Sequence, residues 1–338
     1  MDQERSLVSI VCPAYQEEAV LPAFHRALAD ALAPLAAECD IEILYVDDGS
    51  RDRTLEVLRA LATMDGRVRY LSLSRNFGHQ AALTAGMEHA RGDAVVTLDT
   101  DLQHPPNLIP ALVARWRDGY DVVLTLRADD RRLGLFKRMT SGSFYRVLRR
   151  WSEVDVRAAA SDFRLLSRKA VDALLTLEES HRYLRGMVQW LGFRVAEVPF
   201  RPDARGAGAS KYTLAKMLHL AADGLFSFSR VPLRLSVGLG LGVTGVSLLL
   251  CVTAVFARGG PSDWLTLCLV GAVHAVGACI LAAVGVVGEY VGRIYEECKR
   301  RPIYVLKDAS PFPRDAAADD SRAAIRGRLG RPNRASAA

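Results

Sequence analysis

Two long apolar stretches in the last third of this 338-residue chain limit how it can fold. Residues 235–257 contain no charged side chain, and residues 264–288 contain only His274 among Asp, Glu, Lys, Arg and His. Either stretch is long enough to cross a bilayer core of about 30 Å. A buried helix pair of a soluble protein is the alternative, but such runs with scattered glycines are uncommon in soluble helices. We therefore predict two transmembrane helices.

The residues around these stretches predict how the chain is oriented. The connection 258–263 suits only a tight hairpin, so both outer ends face the same side. Basic residues flank the outer ends, namely Arg230, Arg234, Arg293, Lys299, Arg300 and Arg301. The positive-inside rule then predicts a multi-pass protein of the bacterial inner (plasma) membrane with a cytoplasmic N-terminal domain, Arg258 being the exception. Residues 1–6 are charged and short, so no signal peptide is expected.

Charge and cysteine content narrow the choice of partners. The formal net charge of +6 suits an anionic membrane surface or a nucleic acid, but no nucleic-acid motif supports the second partner. The six cysteines show no metal-binding spacing, and we interpret them as reduced, packed thiols. We therefore expect a membrane partner and no nucleic acid.

The N-terminal region alternates strand-like and helix-like runs. The strand-like runs are 7–12, 41–46, 68–73, 94–98 and 122–126. Helix-like runs lie at 18–37 and 54–64, and the pattern further predicts a helix from near Ser167, introduced by 161–166, and a strand at 194–200. Such a βαβ series predicts an α/β fold with a mostly parallel sheet and helices on both faces.

Two carboxylates, Asp99 and Asp101, directly follow the fourth strand-like run. Alternate residues of a strand share one face, so these side chains and Gln103 could address one ion. Carboxylate oxygens are the ligands that Mg²⁺ or Mn²⁺ takes, although an acidic turn that merely caps a strand is the alternative. Polar residues also follow the first two runs, at 13–17 and 47–50, and ligands of open α/β sheets bind at this carboxyl edge.

Basic segments could contact phosphate groups near the same edge. Residues 127–150 hold eight Lys or Arg against two Asp, which predicts an interfacial segment, with a solvated basic helix as the alternative. The Gly-rich basic loop 201–212 is suited to closing over a diphosphate. Residues 74–86 are expected to open a helix whose backbone N–H groups, with Arg75, could bind phosphate, unless this is a plain turn.

These patterns divide the chain into five parts. We predict a cytoplasmic catalytic domain over 1–210, an interfacial amphipathic segment over 211–234, transmembrane helices over 235–257 and 264–288, and a cytoplasmic tail over 289–338 that is disordered after about residue 307.

Six motifs occur in the order found in a known family. They are Pro13-Ala14-Tyr15-Gln16-Glu17, Val46-Asp47-Asp48-Gly49-Ser50, Asp99-Thr100-Asp101-Leu102-Gln103, Ser161-Asp162-Phe163-Arg164, Tyr183-Leu184-Arg185-Gly186 and Ser210-Lys211-Tyr212. With this ordered set the chain resembles, over about residues 6–306, the inverting GT-A glycosyltransferases of family 2. Within that family it is similar to the polyprenyl-phosphate glycosyltransferases, which are bacterial relatives of dolichyl-phosphate mannose synthase with two C-terminal membrane helices.

The resemblance implies a role for each matching residue. The nucleotide would be bound by Pro13, Tyr15, Glu17, Val46, Asp48 and Thr100, with Asp48 at the base. Asp99, Asp101 and Gln103 would hold Mg²⁺ or Mn²⁺. The residues implied in catalysis are Asp99, Asp101, Arg127, Asp162, Arg205 and Lys211. The acceptor phosphate would contact Arg127, Arg138 and Ser141, of which the last two match only loosely. Thr100 and His104 depart from the family's usual residues, and His104 could alter the surroundings of the metal.

The implied reaction transfers one sugar from a nucleotide sugar, with UDP-glucose favoured, to undecaprenyl or another polyprenyl phosphate at the cytoplasmic membrane face. A divalent ion would neutralise the charge developing on the leaving diphosphate. A lipid monophosphate is largely a dianion at neutral pH and scarcely needs a base, so Asp162 is expected to orient arginine or acceptor groups.

Two other functions stay open at this point. A processive polysaccharide synthase usually carries a Gln-x-x-Arg-Trp element, which Gln189-Trp190 lacks. A non-catalytic membrane scaffold could retain the fold without turnover. The glycines between Gly238 and Gly242 could pack helices within one chain or between chains, so a homo-oligomer is also open.

Overall fold

The structure is a computed structural model that describes residues 5–127, 160–200, 231–256 and 262–311. These residues build one eight-stranded sheet in the order β7-β5-β6-β4-β1-β2-β3-β8. The strands are β1 (Leu7–Ala14), β2 (Asp40–Asp47), β3 (Val68–Leu73), β4 (Ala94–Thr97), β5 (Val122–Arg127), β6 (Ala160–Ser167), β7 (Val195–Phe200) and β8 (Leu306–Ala309).

Most strands of the described sheet run in one direction. The parallel pairs are β1 with β2 and β4, β2 with β3, and β5 with β7. β6 runs antiparallel to both β4 and β5, and β8 runs antiparallel to β3. The result is a mixed α/β sheet of the GT-A-like class that the resemblance implies.

Helices cover both faces of the sheet. They are α1 (Leu21–Leu32), α2 (Thr54–Met64), α3 (His79–His89), α4 (Ile109–Arg117), α5 (Arg168–Leu175) and α6 (Leu184–Trp190). α1, α2 and α4 share one buried core with strand residues such as Ile10 and Ile43. α3, α5 and α6 share a second core with Val11 and Leu44. Neighbouring residues such as Ile10 and Val11 enter opposite cores because side chains alternate along a strand.

Residues 160–167 differ from the sequence prediction. The prediction had residues 161–166 leading into a helix, but they form β6 between β4 and β5. The predicted helix start near Ser167 is confirmed, because the Ser167 hydroxyl accepts from Ala170 N and caps α5. The alternation of apolar and polar residues over 161–166 is too weak to predict a strand. Pairing with β4 on one side and β5 on the other stabilises it.

The predicted disorder after about residue 307 is wrong for residues 308–311, and residues 312–338 lie outside the described residues. β8 pairs with β3, and Ser310 bonds Tyr70 twice at 3.0 Å: Ser310 N donates to Tyr70 O, and Ser310 Oγ accepts from Tyr70 N. Arg59 Nη2 lies 2.5 Å from Asp308 Oδ2. β8 thus covers the sheet edge that β3 would otherwise expose, so the sheet of the predicted domain 1–210 also includes a strand from residues 306–309.

Two long helices, α7 (Val231–Phe256) and α8 (Ser262–Cys298), pack against each other. In the described part of the chain one helical segment, Leu269–Cys298, is long and apolar enough to cross a membrane. Its most apolar 18-residue window has a mean hydropathy of 2.3 and contains no buried residue. The apolar part of α7, Leu235–Leu250, is shorter. The second predicted span lies within α8, and a topology with two spans stays a prediction.

Candidate functional site

Four parallel strands bring polar strand ends to one edge of the sheet. β1 lies between β2 and β4, and β3 follows β2. The pairing continues just past the strands, because Asp48 N donates to Ala14 O at 2.9 Å and Leu98 N donates to Val11 O at 3.0 Å. The residues that follow these strands therefore lie along one edge, as predicted, and this edge is the candidate site.

The two carboxylates after β4 lie in a turn. β4 ends at Thr97, so the prediction that Asp99 and Asp101 share a face by strand alternation is wrong. The turn is held instead by Gln103 N, which donates to Asp101 Oδ1 at 3.0 Å, and by a left-handed Leu102 with φ 61°. Thr100 is buried, and its hydroxyl donates to the Pro13 carbonyl at 3.1 Å. The turn is thereby tied to β1.

Two imidazoles flank the Asp99 carboxylate. His79 Nε2 lies 3.4 Å from Asp99 Oδ1, and His104 Nδ1 lies 3.3 Å from Asp99 Oδ2. His104 is buried, and its ring packs near Phe163 and Phe200 at centroid distances of 5.6 and 5.7 Å. Asp99 Oδ1 is buried and accepts no hydrogen bond from the described residues. This oxygen therefore faces the His79 imidazole without a hydrogen bond and keeps acceptor capacity for a ligand.

Asp162 on β6 anchors two arginines. Arg185, the second residue of α6, donates to Asp162 Oδ1 through Nε at 3.2 Å and to Oδ2 through Nη2 at 2.7 Å. Buried Arg164 donates to Oδ1 at 2.5 Å. Burial raises the pKa of Asp162, but Arg185, His79 and Arg164 outweigh it and hold the pKa well below its usual range. Asp162 is therefore a carboxylate at neutral pH.

His79 links the two carboxylates. It begins α3 directly after Gly78, whose φ of 100° only glycine adopts readily. Its Nε2 lies 3.7 Å from Asp162 Oδ2 as well as close to Asp99. Partial burial lowers the pKa of His79, but Asp99 and Asp162 more than offset this and raise the pKa to about 9. His79 is thus an imidazolium between two carboxylates.

Sequence reasoning did not single out His79, Arg164 or Arg185. The two arginines lie in motifs that carried the family resemblance, and His79 lies in the segment expected to open a helix toward the ligand edge. All three residues therefore lie in segments that the sequence analysis had marked. Those segments did not predict the pairing of β6 with β4, which brings residues far apart in the chain together.

The acidic turn has donors that suit a divalent cation. Asp99 and Asp101 supply carboxylate oxygens, and Gln103 an amide oxygen. Across the described residues no group of three or more His, Cys, Asp or Glu side chains is arranged to hold a metal. Mg²⁺ commonly binds one or two carboxylates, keeps several waters and takes further oxygens from substrate phosphates. The available oxygen of Asp99 fits that mode, so these residues fit an ion shared with a diphosphate.

Asp48 uses both carboxylate oxygens within the fold. Oδ1 accepts from Phe77 N at 2.7 Å and Oδ2 from Gly78 N at 3.0 Å. Burial raises the pKa of Asp48 even though these two N–H groups favour its carboxylate. The N–H groups that the sequence suggested for phosphate thus serve Asp48. Gly49, with φ 68°, allows this approach, since a Cβ there would lie 2.3 Å from the Arg75 carbonyl carbon.

The other residues expected at the nucleotide differ in exposure. Tyr15 and Glu17 are half-buried in the loop after β1, where Glu17 N donates to Thr54 Oγ1 at 3.0 Å. The Val46 side chain is fully buried against the α3 side of the sheet, so only its main chain could face a ligand. Pro13 is buried in β1.

Several predicted site residues lie at the end of a described range or outside the described residues. Arg127 is the last residue of β5, and its main chain pairs with Phe200 at the same sheet edge as the acidic turn. Four predicted residues lie outside the described residues, namely Arg138, Ser141, Arg205 and Lys211.

Comparison with known proteins finds similarity to glycosyltransferases. Residues 9–175 match the model of glycosyl transferase family 2. The chain is 38% identical to an uncharacterised glycosyltransferase, YkcC, of Bacillus subtilis (strain 168), over 88% of this chain and 93% of that protein. It is 38% identical to the bactoprenol glucosyl transferase of Shigella phage SfV, over 89% of this chain and 98% of that protein. It is 35% identical to a prophage bactoprenol glucosyl transferase homolog of Escherichia coli (strain K12), over 89% and 98% respectively.

Proposed function

Because this chain belongs to glycosyl transferase family 2, we propose that it transfers one sugar from a nucleotide sugar to a polyprenyl phosphate at the cytoplasmic face of a membrane. The relatives named bactoprenol glucosyl transferases support glucose as the sugar and UDP-glucose as the donor. The observation that carries the proposal is the acidic turn at the carboxyl edge of the sheet, where a buried Asp99 oxygen accepts no hydrogen bond from the described residues.

Asp99, Asp101 and Gln103 would hold Mg²⁺ or Mn²⁺ together with the donor diphosphate. The ion would neutralise the negative charge that develops on the diphosphate as the bond to the sugar breaks. The imidazolium of His79 is 3.4 Å from Asp99 and adds positive charge on the same side. Asp48, Tyr15 and Glu17 would meet the nucleoside at the ends of β1 and β2.

The nucleophile in this reaction is an oxygen of the lipid phosphate. It attacks the anomeric carbon of the sugar, and the bond from that carbon to the diphosphate oxygen breaks, which inverts the configuration. A phosphate monoester has a second pKa near 6, so this oxygen already carries charge at neutral pH. Asp162 cannot usefully accept a proton because its pKa is held low. We assign Asp162 the task of fixing Arg185 and Arg164 beside the site.

The membrane helices would bring the lipid acceptor to this edge. Segment Leu269–Cys298 of α8 supports one span, and the apolar part of α7 beside it would form the second. With both spans present, the catalytic domain and the end of α8 share the cytoplasmic side. Arg127, Arg138, Ser141, Arg205 and Lys211 would contact the phosphates of acceptor and donor.

A transfer assay tests the proposal. The full chain in detergent is mixed with undecaprenyl phosphate, Mg²⁺ or Mn²⁺, and each of a panel of radiolabelled UDP- and GDP-sugars. We expect label to enter the lipid phase with UDP-glucose, and Asp101→Asn to reduce the rate by at least about 100-fold, as loss of a charge-stabilising group does. Asp118→Asn, at an exposed position after α4, is the matched control and should retain activity.

Two results would count against the proposal. No lipid product from any donor, with a known synthase active in the same assay, would favour another acceptor or a non-catalytic scaffold. A lipid product whose sugar chain lengthens with time would indicate a processive synthase.

A further inference from the structure

A cavity of about 560 Å³ opens where α8 ends beside the catalytic domain. Its wall combines the turn between β3 and α3 with the segment that follows α8, including Arg75, Phe77, Lys299, Arg301 and Ile303. Neither the acidic turn nor Asp162 lines it. It is a separate feature of the fold.

The cavity carries an excess of positive charge. Within the described residues, Arg75, Lys299 and Arg301 form no ion pair with a carboxylate. The Arg75 guanidinium lies 4.0 Å from the centroid of the Phe77 ring, and Lys299 Nζ lies 3.9 Å from that of Tyr295. The acidic lining residue, Glu296, is 2.7 Å from His181 Nε2. Such a cavity favours an anion.

The position of the cavity indicates which anion. The part of α8 without Asp, Glu, Lys or Arg ends at Gly288, and the last turns of the helix carry Glu289, Arg293, Glu296 and Glu297 before Lys299. Lys and Arg residues that follow a membrane span on its cytoplasmic side are attracted to the anionic headgroups of that leaflet. Phe77, Ile303 and Val305 add apolar wall beside the cations, which suits the first methylenes of a lipid chain.

Contacts on both sides hold the cavity in shape. Ser74 N donates to Val305 O at 2.8 Å, next to the pairing of β8 with β3. Ser180 donates to Glu297 through its N at 2.8 Å and its hydroxyl at 3.0 Å. The cationic residues therefore project from a fixed frame.

We propose that this cavity binds the phosphate headgroup of a membrane lipid through Arg75, Lys299 and Arg301. The inference rests on the membrane placement within the proposed function. The lipid is either an anionic phospholipid of the bilayer or the polyprenyl phosphate acceptor before it reaches the active site. The same turn that lines the cavity donates two N–H groups to Asp48, so the cavity adjoins the catalytic edge.

Native mass spectrometry of the full chain in a neutral detergent tests this site without sugar transfer. Phosphatidylglycerol and phosphatidylcholine are added at equal concentrations, and retained lipid is counted. We expect the wild type to retain phosphatidylglycerol, and Lys299→Gln/Arg301→Gln to weaken retention about 25-fold, since each Lys or Arg beside an anionic lipid contributes about fivefold. Arg300→Gln/Lys307→Gln removes the same charge from exposed positions outside the cavity and should change retention less than about twofold.

Competition identifies the source of the phosphate. If undecaprenyl phosphate displaces phosphatidylglycerol, and the first double variant raises the KM for the lipid acceptor but not for the donor, the site serves the acceptor. If undecaprenyl phosphate does not displace phosphatidylglycerol, the site binds a phospholipid of the bilayer. Either result supports the proposal.

Three results would overturn it: unchanged retention by Lys299→Gln/Arg301→Gln, an equal loss in the control, or displacement of phosphatidylglycerol by UDP, which would make the cavity part of the donor site. Both double variants should unfold at the wild-type temperature, because the four side chains are exposed. If sugar transfer fails while retention follows the prediction, the lipid site stands and the proposed function falls.

Discussion

Replacing Asp162 with Asn tests whether this residue is a structural anion or a base. The amide would keep one acceptor but place an NH₂ donor against Arg185 or Arg164, which now donate to the carboxylate at 2.5 to 3.2 Å. Arg164 is buried and would lose its ionic partner. Breaking a buried pair in this way typically destabilises a protein by about 3–5 kcal/mol.

The assay is thermal unfolding of the full chain in detergent, followed by tryptophan fluorescence. A loss of that size in a domain of this length lowers the unfolding temperature by about 10 °C. Asp172→Asn is the matched control, because that carboxylate forms a surface i,i+4 pair with Arg168 worth about 0.3–0.5 kcal/mol. The control should shift the transition by less than about 2 °C.

The pH dependence of stability and of kcat distinguishes a structural carboxylate from a general base at Asp162. Its folded pKa is depressed, so its stabilising contribution is present above the unfolded pKa of about 3.9 and is lost only as the pH falls through the folded value. The destabilisation by Asp162→Asn should therefore persist from pH 6 to pH 8. It should be larger at pH 6, because His79 also loses one of the two carboxylates that raise its pKa, and no limb of the pH profile of kcat should disappear. Loss of a limb near neutrality, or unfolding within 1 kcal/mol of the control, would refute this reasoning.

Three further predictions follow from particular contacts. Gly49→Ala should destabilise the fold by about 2 kcal/mol or more, because a Cβ would meet the Arg75 main chain at 2.3 Å with φ 68°; Gly66→Ala, with open space around it, should be near neutral in the same denaturant titration. Ser310→Ala removes the hydroxyl that accepts from Tyr70 N, so it should cost about 1 kcal/mol and speed proteolysis after α8; equal proteolysis would contradict the docking of β8. Chelation with EDTA should stop sugar transfer and added Mn²⁺ should restore it, and transfer that persists in EDTA would exclude the ion from the acidic turn.

The end of α8 and the segment that follows it connect this helix to the candidate site edge of the sheet. Glu297 near the end of α8 accepts from Ser180, and β8 extends the sheet beside β3. Tyr304 donates to Glu88 on α3, the helix that begins at His79. The sheet domain therefore contacts both the end of α8 and the segment that follows it. In the proposed topology these contacts fix the distance between the domain and the membrane.

The amino-acid sequence by itself determined the local elements and the chemistry at their ends. The predictions for α2 and β3 match the structure to the residue, because period-3.6 and strand-like patterns with clear turn signals depend on neighbours alone. The acidic residues after β4 and the apolar character of α8 were equally visible, since each is a short-range property of the chain.

Only the tertiary structure decided which distant residues meet. The insertion of β6 between β4 and β5 brings Asp162 to His79 and Asp99, and β8, which follows α7 and α8 in the chain, returns to β3 and completes the sheet. Neither arrangement has a local signal, because the pairing energy of a strand depends on the edge it finds rather than on its own residues. The raised pKa of His79 comes from that same encounter with Asp99 and Asp162, and the low pKa of Asp162 comes from Arg185 and His79, which lie far away along the chain, together with nearby Arg164.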